Sequence, residues 1–314
     1  MEVSFIIPLY NRLDLSRPCL ESLRASLPRG LAHEIILADD ASTDGTRAWL
    51  STLRDPPHKV LLGEANVGYA RTCNRAARIA QGRYLALLNS DLVFTHGWLE
   101  PMLAAFTRFG DTGIVGNLQY RAATGCLDHA GVQIDTLGRP EHLDTRRGAP
   151  LLLAAYRTHA AITGACCVIE RALFLHHGGY DEAFINGGED IDLCLRLRQA
   201  GLAVRVAHRS RVLHHVSASP GRKKHDEENC RRLFFKWRAQ LIEDGARSWP
   251  REFCHDFCLN PHQRYPWPIF MAALLRRYGL CRSTSSYARE LLARNLHLRE
   301  VRWEQMFGRP PPSP

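Results

Sequence analysis

The sequence predicts an α/β fold with a helical C-terminal extension, and three observations carry that prediction. First, four short apolar runs (residues 3–8, 34–39, 59–62 and 84–89) alternate with amphipathic stretches near residues 14–27, 44–53, 68–80 and 97–109. Strands alternating with helices of this length imply a parallel sheet, covered on both faces and joined by right-handed crossovers. Second, the apolar runs end on polar residues: Tyr10 and Asn11, Asp39 and Asp40, and Asn89, Ser90 and Asp91. Ligands of open α/β sheets sit at the strands' carboxyl ends, so a single crevice is expected to collect all three groups. Third, beyond His215 the pattern turns to polar turn residues followed by helical periodicity at residues 231–242, 269–278 and 287–306.

The remaining elements follow in order. The Gly-rich section 110–150 reads as hairpins extending the sheet. Residues 160–170 read as a further buried strand, and residues 190–200 as a helix whose N-terminus lies at Gly187, Gly188 and Glu189. A proline cluster at residues 261–268 interrupts the helical tail, and the final GRPPPSP is a frayed end.

With 314 residues, 45% apolar and 23% charged, the chain has the composition of a globular protein. The apolar opening VSFIIPLY lacks a basic lead and a cleavage site and is too short to span a bilayer, so it is expected to be a strand. Ten scattered cysteines form no dense disulfide framework, which fits a reducing, cytoplasmic location. The net charge of +9 is lopsided. From residue 221 onward there are 18 Lys/Arg and 10 Asp/Glu, a net of +8, against +1 for residues 1–220. Chemistry and basicity are therefore expected in different segments, a catalytic domain over residues 1–219 and a basic, mostly helical extension over 220–314. No nucleic-acid motif accompanies the charge, and no G-x-G-x-x-G follows the first strand, which argues against a dehydrogenase.

Two features of the extension have competing readings. Cys254, His255, Cys258 and His262 could supply four zinc ligands, but their spacing fits no strong template and burial is the simpler account. The aromatic-basic segment 233–238 is read as packing, with its basic surroundings drawn to an anionic membrane.

Asp91 is the candidate ligand for Mg²⁺ or Mn²⁺, cations that need only one or two carboxylates beside phosphate oxygens; taken alone, an Asp after a strand more often caps a helix. Its surroundings change that balance. The segments SFIIPLYNR, LADDASTDGT, NVGYARTCN and LLNSDLVF, then GGYDEAFINGGEDIDLCLRLRQAG and VLHHVSAS, stand in an order that resembles family 2 nucleotide-sugar glycosyltransferases, from about residue 3 to residue 219. The resemblance implies a GT-A-type, Rossmann-like mixed sheet with helices on both faces, a nucleotide-binding half over about residues 1–110 and an acceptor half over 111–219.

It also implies roles. Pro8, Tyr10 and Asn11 would line the base pocket, and Asp39 would accept a hydrogen bond from the base or ribose; a carboxylate suits a ring N–H such as that of uracil or thymine. Asp39 and Asp40 also read as helix caps, with Asp44 the better cap. Asn66, Gly68 and Arg71 stand at a helix start where phosphate is attracted. Asn89 and Ser90 would touch the donor, and Asp91 and His214 would hold the metal, imidazole favouring Mn²⁺. His215 would point to the other side of the strand.

Asp190 would be the catalytic base, with Glu189 the runner-up, and Asp192 and Arg196 would support the loop. Thr163, Gly164 and Ala165 resemble the segment bordering the acceptor, and His129 is read as a surface turn residue. The chain departs from the family pattern at Asn89, where many members carry the first Asp of a D-x-D motif, and at Asn186, Gly187 and Gly188, which replace bulkier residues and open the acceptor pocket.

The implied activity is transfer of a sugar from a UDP- or dTDP-type donor to an acceptor hydroxyl with inversion, in cell-surface polysaccharide or glycoconjugate synthesis. The acceptor could be a glycan, a lipid-linked intermediate or a protein, with peripheral association at the inner face of a membrane through the basic tail. The alternative is an inactive nucleotide-sugar-binding scaffold of the same fold.

Overall fold

The computed structural model describes residues 1–53, 58–143, 154–215, 225–259, 267–278, 280 and 286–308. It divides into two compact units, residues 1–132 with 142–229, and residues 133–141 with 230–314.

The first unit opens with β1 (Val3–Leu9), α1 (Leu13–Ser26), β2 (His33–Asp39), α2 (Thr46–Thr52), β3 (His58–Leu62), α3 (Tyr69–Ile79) and β4 (Tyr84–Leu88). Next come β5 (Leu92–Phe94), α4 (Glu100–Arg108), β6 (Thr112–Arg121) and β7 (Leu127–His129); the pair β8 (Val132–Ile134) and β9 (Pro140–His142) that follows belongs to the second unit except for Val132 and His142. The first unit continues through β10 (Tyr156–Thr158), β11 (Cys166–Glu170), α5 (Arg171–His176), α6 (Glu189–Gln199) and β12 (Ala203–His214).

The main sheet runs β10-β12-β6-β11-β4-β1-β2-β3, with β5 added to β12 and β7 to β6. β1 and β2 are almost wholly buried because both faces of the sheet are covered. Phe5, Ile7, Ile35, Leu37, Ala86 and Val168 face a core completed by Cys19, Leu20 and Leu23 of α1, Trp49 of α2 and Met102 of α4. On the other face α3 packs against β1 and β2, and α6 against β6 and β12.

The sheet is mixed, not parallel throughout. β1 to β4 pair in parallel, but β11 runs antiparallel between β4 and β6. The chain enters β11 from the carboxyl edge of its neighbours, where Asn89 N–H donates to Ala165 O at 2.8 Å, and so must run the opposite way. Two expectations change with this topology. The section after residue 110 does add a hairpin to the sheet, β7 pairing antiparallel with β6, but β6 itself sits inside the sheet, parallel to β12. Residues 160–165 are irregular, and the strand expected there begins only at Cys166.

The second unit holds most of α7 (Asp226–Leu259), interrupted at Trp237 (φ −126°), with α8 (Trp267–Arg277) and α9 (Ser286–Phe307). Ala246, Trp249, Phe253, Ala273, Ala288 and Leu292 form its core. Phe234 packs against Trp303 with ring centroids 5.2 Å apart and planes tilted by 59°, so the aromatics of segment 233–238 do pack. The turn between β8 and β9 joins this unit: Asn295 Nδ2 donates to Thr136 O (2.9 Å) and Arg299 Nη1 to Leu137 O (2.7 Å). Cys254 is buried in the apolar cluster, while the side chains of His255 and Cys258, and all of His262, lie outside the described residues. No helix among the described residues is long and apolar enough to cross a membrane.

Candidate active site

The site residues gather at the carboxyl ends of β1, β2 and β4 because tight loops there are pinned by side chains. Asn11 takes a positive φ of 56° just after β1. Its Oδ1 accepts from Thr43 N–H (2.7 Å) and Asp44 N–H (3.2 Å), which ties the first loop to the second. Asp39 is enclosed: its carboxylate accepts from Ser42 N–H (3.2 Å) and from Arg47 Nε (2.8 Å). Asp44 Oδ1 accepts from Thr46 N–H at 2.9 Å, but the N-cap of α2 is Gly45, so Asp44 turns the chain into the helix from one position earlier than the cap expected of it. Pro8 is half-buried in β1, and Tyr10 presents a ring 49% exposed beside these loops.

Asp40 does something the sequence did not indicate. It caps no helix of its own loop but reaches across to accept from Val67 N–H (2.9 Å) and Gly68 N–H (2.8 Å), so it fixes the loop that opens α3. Asn66 is exposed there. Arg71 is 55% exposed and its Nε lies 3.2 Å from Glu182 Oε2.

The segment after β4 places the carboxylate and imidazole expected to hold a metal. Because β5 pairs antiparallel with β12, Leu92 stands opposite His214, and His215 N–H donates to Asp91 O at 3.0 Å. Asp91 Oδ1 and His214 Nε2 are thereby 3.2 Å apart, although 123 residues separate them in sequence. Among the described residues neither atom has a hydrogen-bond partner, and His214 Nδ1 has none either. His214 is buried and His215 exposed, so the two alternate across the strand end. Asn89 and Ser90 are half-buried at the mouth of this segment.

The opposite side is built by α6. Gly188 takes a positive φ of 94° immediately before the helix. Asp190, in the first turn, accepts from Gly164 N–H at 2.7 Å and from Ile191 N–H at 2.8 Å. A Cβ on Gly164 would lie 3.2 Å from Asp190 Cβ, so this close approach is made by a glycine. Glu189 is turned inward, buried, with Oε2 accepting from Gly187 N–H at 2.8 Å. Asp192 is fully buried and paired with Arg196 (2.8 Å), which also donates to His177 O and to Gly179 O (2.7 Å).

The strip Thr163, Gly164, Ala165 therefore joins the two sides. Gly164 holds Asp190, and Ala165 O receives Asn89 N–H. Tyr69 and His129 brace the same strip. Tyr69 Oη donates to Gly164 O at 3.0 Å, and burial pushes its pKa well up, so it stays a neutral donor. His129 is not at a surface turn: it lies in β7, fully buried, with Nε2 3.5 Å from Thr163 N–H. Burial, then the neighbouring His142, His159 and His214, hold its pKa well below the usual histidine range. Sequence reasoning overlooked Tyr69 as a brace, whose signal was its place inside the NVGYAR segment, and read Asn186 only as opening the acceptor pocket, whereas its Oδ1 accepts from Tyr69 N–H at 3.3 Å.

Comparison with known proteins agrees with this architecture. Over 225 residues the chain is 30% identical to the O-antigen biosynthesis protein RfbC of Myxococcus xanthus, covering 69% of this chain but 18% of that protein. It is 29% identical over 232 residues to the N-acetylglucosaminyl-diphospho-decaprenol L-rhamnosyltransferase of Mycobacterium tuberculosis, covering 65% of this chain and 74% of that protein. The chain thus spans less than a fifth of the length of the Myxococcus relative. The crystal structure of GalNAc-T7 with UDP, GalNAc and Mn²⁺ superposes with a TM-score of 0.63 at 18% identity, over 95% of this chain and 57% of that one, and so shares the GT-A fold. Residues 4–174, more than half of the chain, match the pattern described as Glycosyl transferase family 2, and the chain belongs to that family.

Proposed function

We propose that this chain transfers a sugar from a UDP- or dTDP-type nucleoside-diphosphate donor to an acceptor hydroxyl, with inversion at the anomeric carbon. The observation that carries this reading is the strip of residues 163–165, which holds Asp190 on one side and the Asn89, Ser90, Asp91 segment on the other. A base and a diphosphate site set by one strip are what a single displacement needs, because attack and departure occur at one carbon.

Asp190 takes the proton from the acceptor hydroxyl. The acceptor oxygen bonds to the anomeric carbon from the face opposite the nucleotide, and the bond to the diphosphate oxygen breaks with its electron pair on that oxygen. Asp190 is chosen over Glu189 because it is half-buried at the strip, whereas Glu189 is turned inward onto the Gly187 turn. Tyr10, Pro8 and Asn11 frame the base; Asp39, expected to bond the base or ribose directly, is enclosed by Ser42 N–H and Arg47 and instead shapes that pocket through the loop it holds. Gly68, Asn66 and Arg71 approach the phosphates at the start of α3, Arg71 exchanging Glu182 for phosphate.

Asp91 and His214 fit a divalent cation. Their facing oxygen and nitrogen atoms are buried without hydrogen bonds to any described residue, a costly arrangement that a cation between hard oxygen and imidazole ligands would relieve. Among the described residues no three His, Cys, Asp or Glu side chains are placed to hold one metal ion, so phosphate oxygens and water would fill the remaining positions. Such an ion, Mn²⁺ or Mg²⁺, would neutralise charge on the leaving diphosphate. The polysaccharide and lipid-linked contexts named for the relatives favour a cell-envelope glycan or lipid-linked acceptor, made on the cytoplasmic side of a membrane.

Thermal unfolding of the wild type and Asp91→Ala with UDP, dTDP, GDP and NAD, each with Mn²⁺ or EDTA, tests the reading. One nucleoside diphosphate is expected to raise the wild-type midpoint with Mn²⁺ and to lose that effect in the variant. No nucleotide shift in a folded wild type would move the scaffold reading ahead.

A further inference from the structure

We infer that the outward face of α8 is a docking surface for an anionic lipid bilayer. The argument is independent of the donor chemistry proposed above and rests on this helix alone.

α8 has two apolar faces. Ile269, Phe270, Ala273 and Leu274 pack into the core of the second unit. Trp267, Met271 and Leu275 recur every four residues, and Tyr278 follows three later, so all four fall within one narrow stripe on a different side of the helix. They are 67%, 45%, 42% and 70% exposed, and Leu280 just beyond is 76% exposed. The outer face of a helix packed on a globular core is ordinarily polar. Here the only polar side chains of the helix are Arg276 and Arg277, at its last turn.

Charge decides the occupant. Residues 257–288 contain four arginines and no Asp or Glu, and Arg289 just beyond them pairs with Glu243 at 3.1 Å. A second copy of the chain would bring that cationic segment against itself, which like-charge repulsion opposes. An anionic bilayer accepts both features: the apolar stripe enters the acyl boundary, Trp and Tyr sit at headgroup depth, and the arginines meet lipid phosphate. At 11 residues α8 is far too short to span, so the mode is adsorption onto the surface.

The test uses the full chain with vesicles of phosphatidylcholine alone or mixed with phosphatidylglycerol, read by co-sedimentation and tryptophan emission. Trp49, Trp98, Trp249 and Trp303 are buried and Trp237 is half-buried, so a blue shift on adding vesicles that persists in a Trp237→Phe background reports mainly Trp267. The wild type is expected to bind the mixed vesicles, with a blue shift and weakening by salt. Met271→Glu combined with Leu275→Glu should lower partitioning roughly tenfold or more and leave the thermal midpoint unchanged, because both side chains already face water. Arg276→Gln with Arg277→Gln should weaken binding to the mixed vesicles and keep the fold.

Equal partitioning of wild type and the Glu pair would place any membrane contact elsewhere and overturn the assignment. So would absence of wild-type binding, or a concentration-dependent dimer in light scattering that the Glu pair abolishes. None of these outcomes touches the nucleotide-induced midpoint shift, so the two readings stand or fall separately.

Discussion

Replacing Arg196 by Met should destabilise the first unit by about 3–5 kcal/mol, because it breaks a buried ion pair and leaves the carboxylate in the interior without that guanidinium. The magnitude follows from the geometry of α6. The Asp192 side chain is 0% exposed and that of Arg196 only 18%, so water cannot substitute for the lost guanidinium. The same guanidinium also satisfies His177 O and Gly179 O, two carbonyls that would lose their donors. An Asp192→Asn, Arg196→Met double variant removes that buried charge and should recover about 2 kcal/mol of the loss, since most of the single-variant cost is the ion left without its guanidinium and not the value of the pair. Urea unfolding of wild type, both single variants and the double variant measures all four corners of the cycle. An Arg196→Met loss below about 1 kcal/mol, or single-variant losses that simply add, would refute the claim that Arg196 is what makes a buried Asp192 tolerable.

Three further outcomes are expected. Asp190→Asn should lower the transfer rate by about 10²–10⁴-fold yet leave the nucleotide-induced shift in midpoint intact, measured by product formation and thermal unfolding side by side. Gly68→Ala should cost about 1–3 kcal/mol in a denaturation experiment and weaken nucleoside-diphosphate binding: the residue sits at φ 88°, ψ 169°, a region essentially confined to glycine, although a Cβ there would meet nothing closer than Asn186 Oδ1 at 3.6 Å. His129 is held neutral in the folded state, with a pKa well below its unfolded value of about 6.5, so the unfolded chain takes up the extra proton and stability falls as pH drops through that value. From pH 6.5 to 5.5 this residue should contribute a loss of about 1 kcal/mol that is missing in His129→Asn; parallel pH dependences of the two proteins would exclude it.

Much of the fold was legible because its signal is local. β1 to β4 and α1 to α4 lie close to the runs read from hydrophobic patterning, since strands buried on both faces and helices packed on them leave a period that no distant contact alters. The order of the strands was not legible in that way. The antiparallel course of β11 and the interior position of β6 depend on which edge of the sheet the chain reaches after its irregular passages, and residue periodicity is the same for a strand run in either direction.

The site divides along the same line. The residue types and their order along the chain (Asn89 to Asp91, Glu189 and Asp190, His214) were set down in sequence, because carboxylates and imidazoles are chosen for chemistry and recur in recognisable company. Which atoms meet was decided by tertiary structure alone: β5 returning against β12 brings Asp91 to His214, and the strip 163–165 brings Asn89 and Asp190 to common supports. The same is true of Asp40, which looked like a helix cap and instead braces a loop 27 residues away, and of His129, whose polar-looking LDHAGV setting is buried. Sequence determined the fold class, the family and the chemical inventory of this protein, since those rest on local pattern and residue identity. Long-range strand pairing decided the partners, burial and protonation of each group, since those depend on neighbours that only the folded chain supplies.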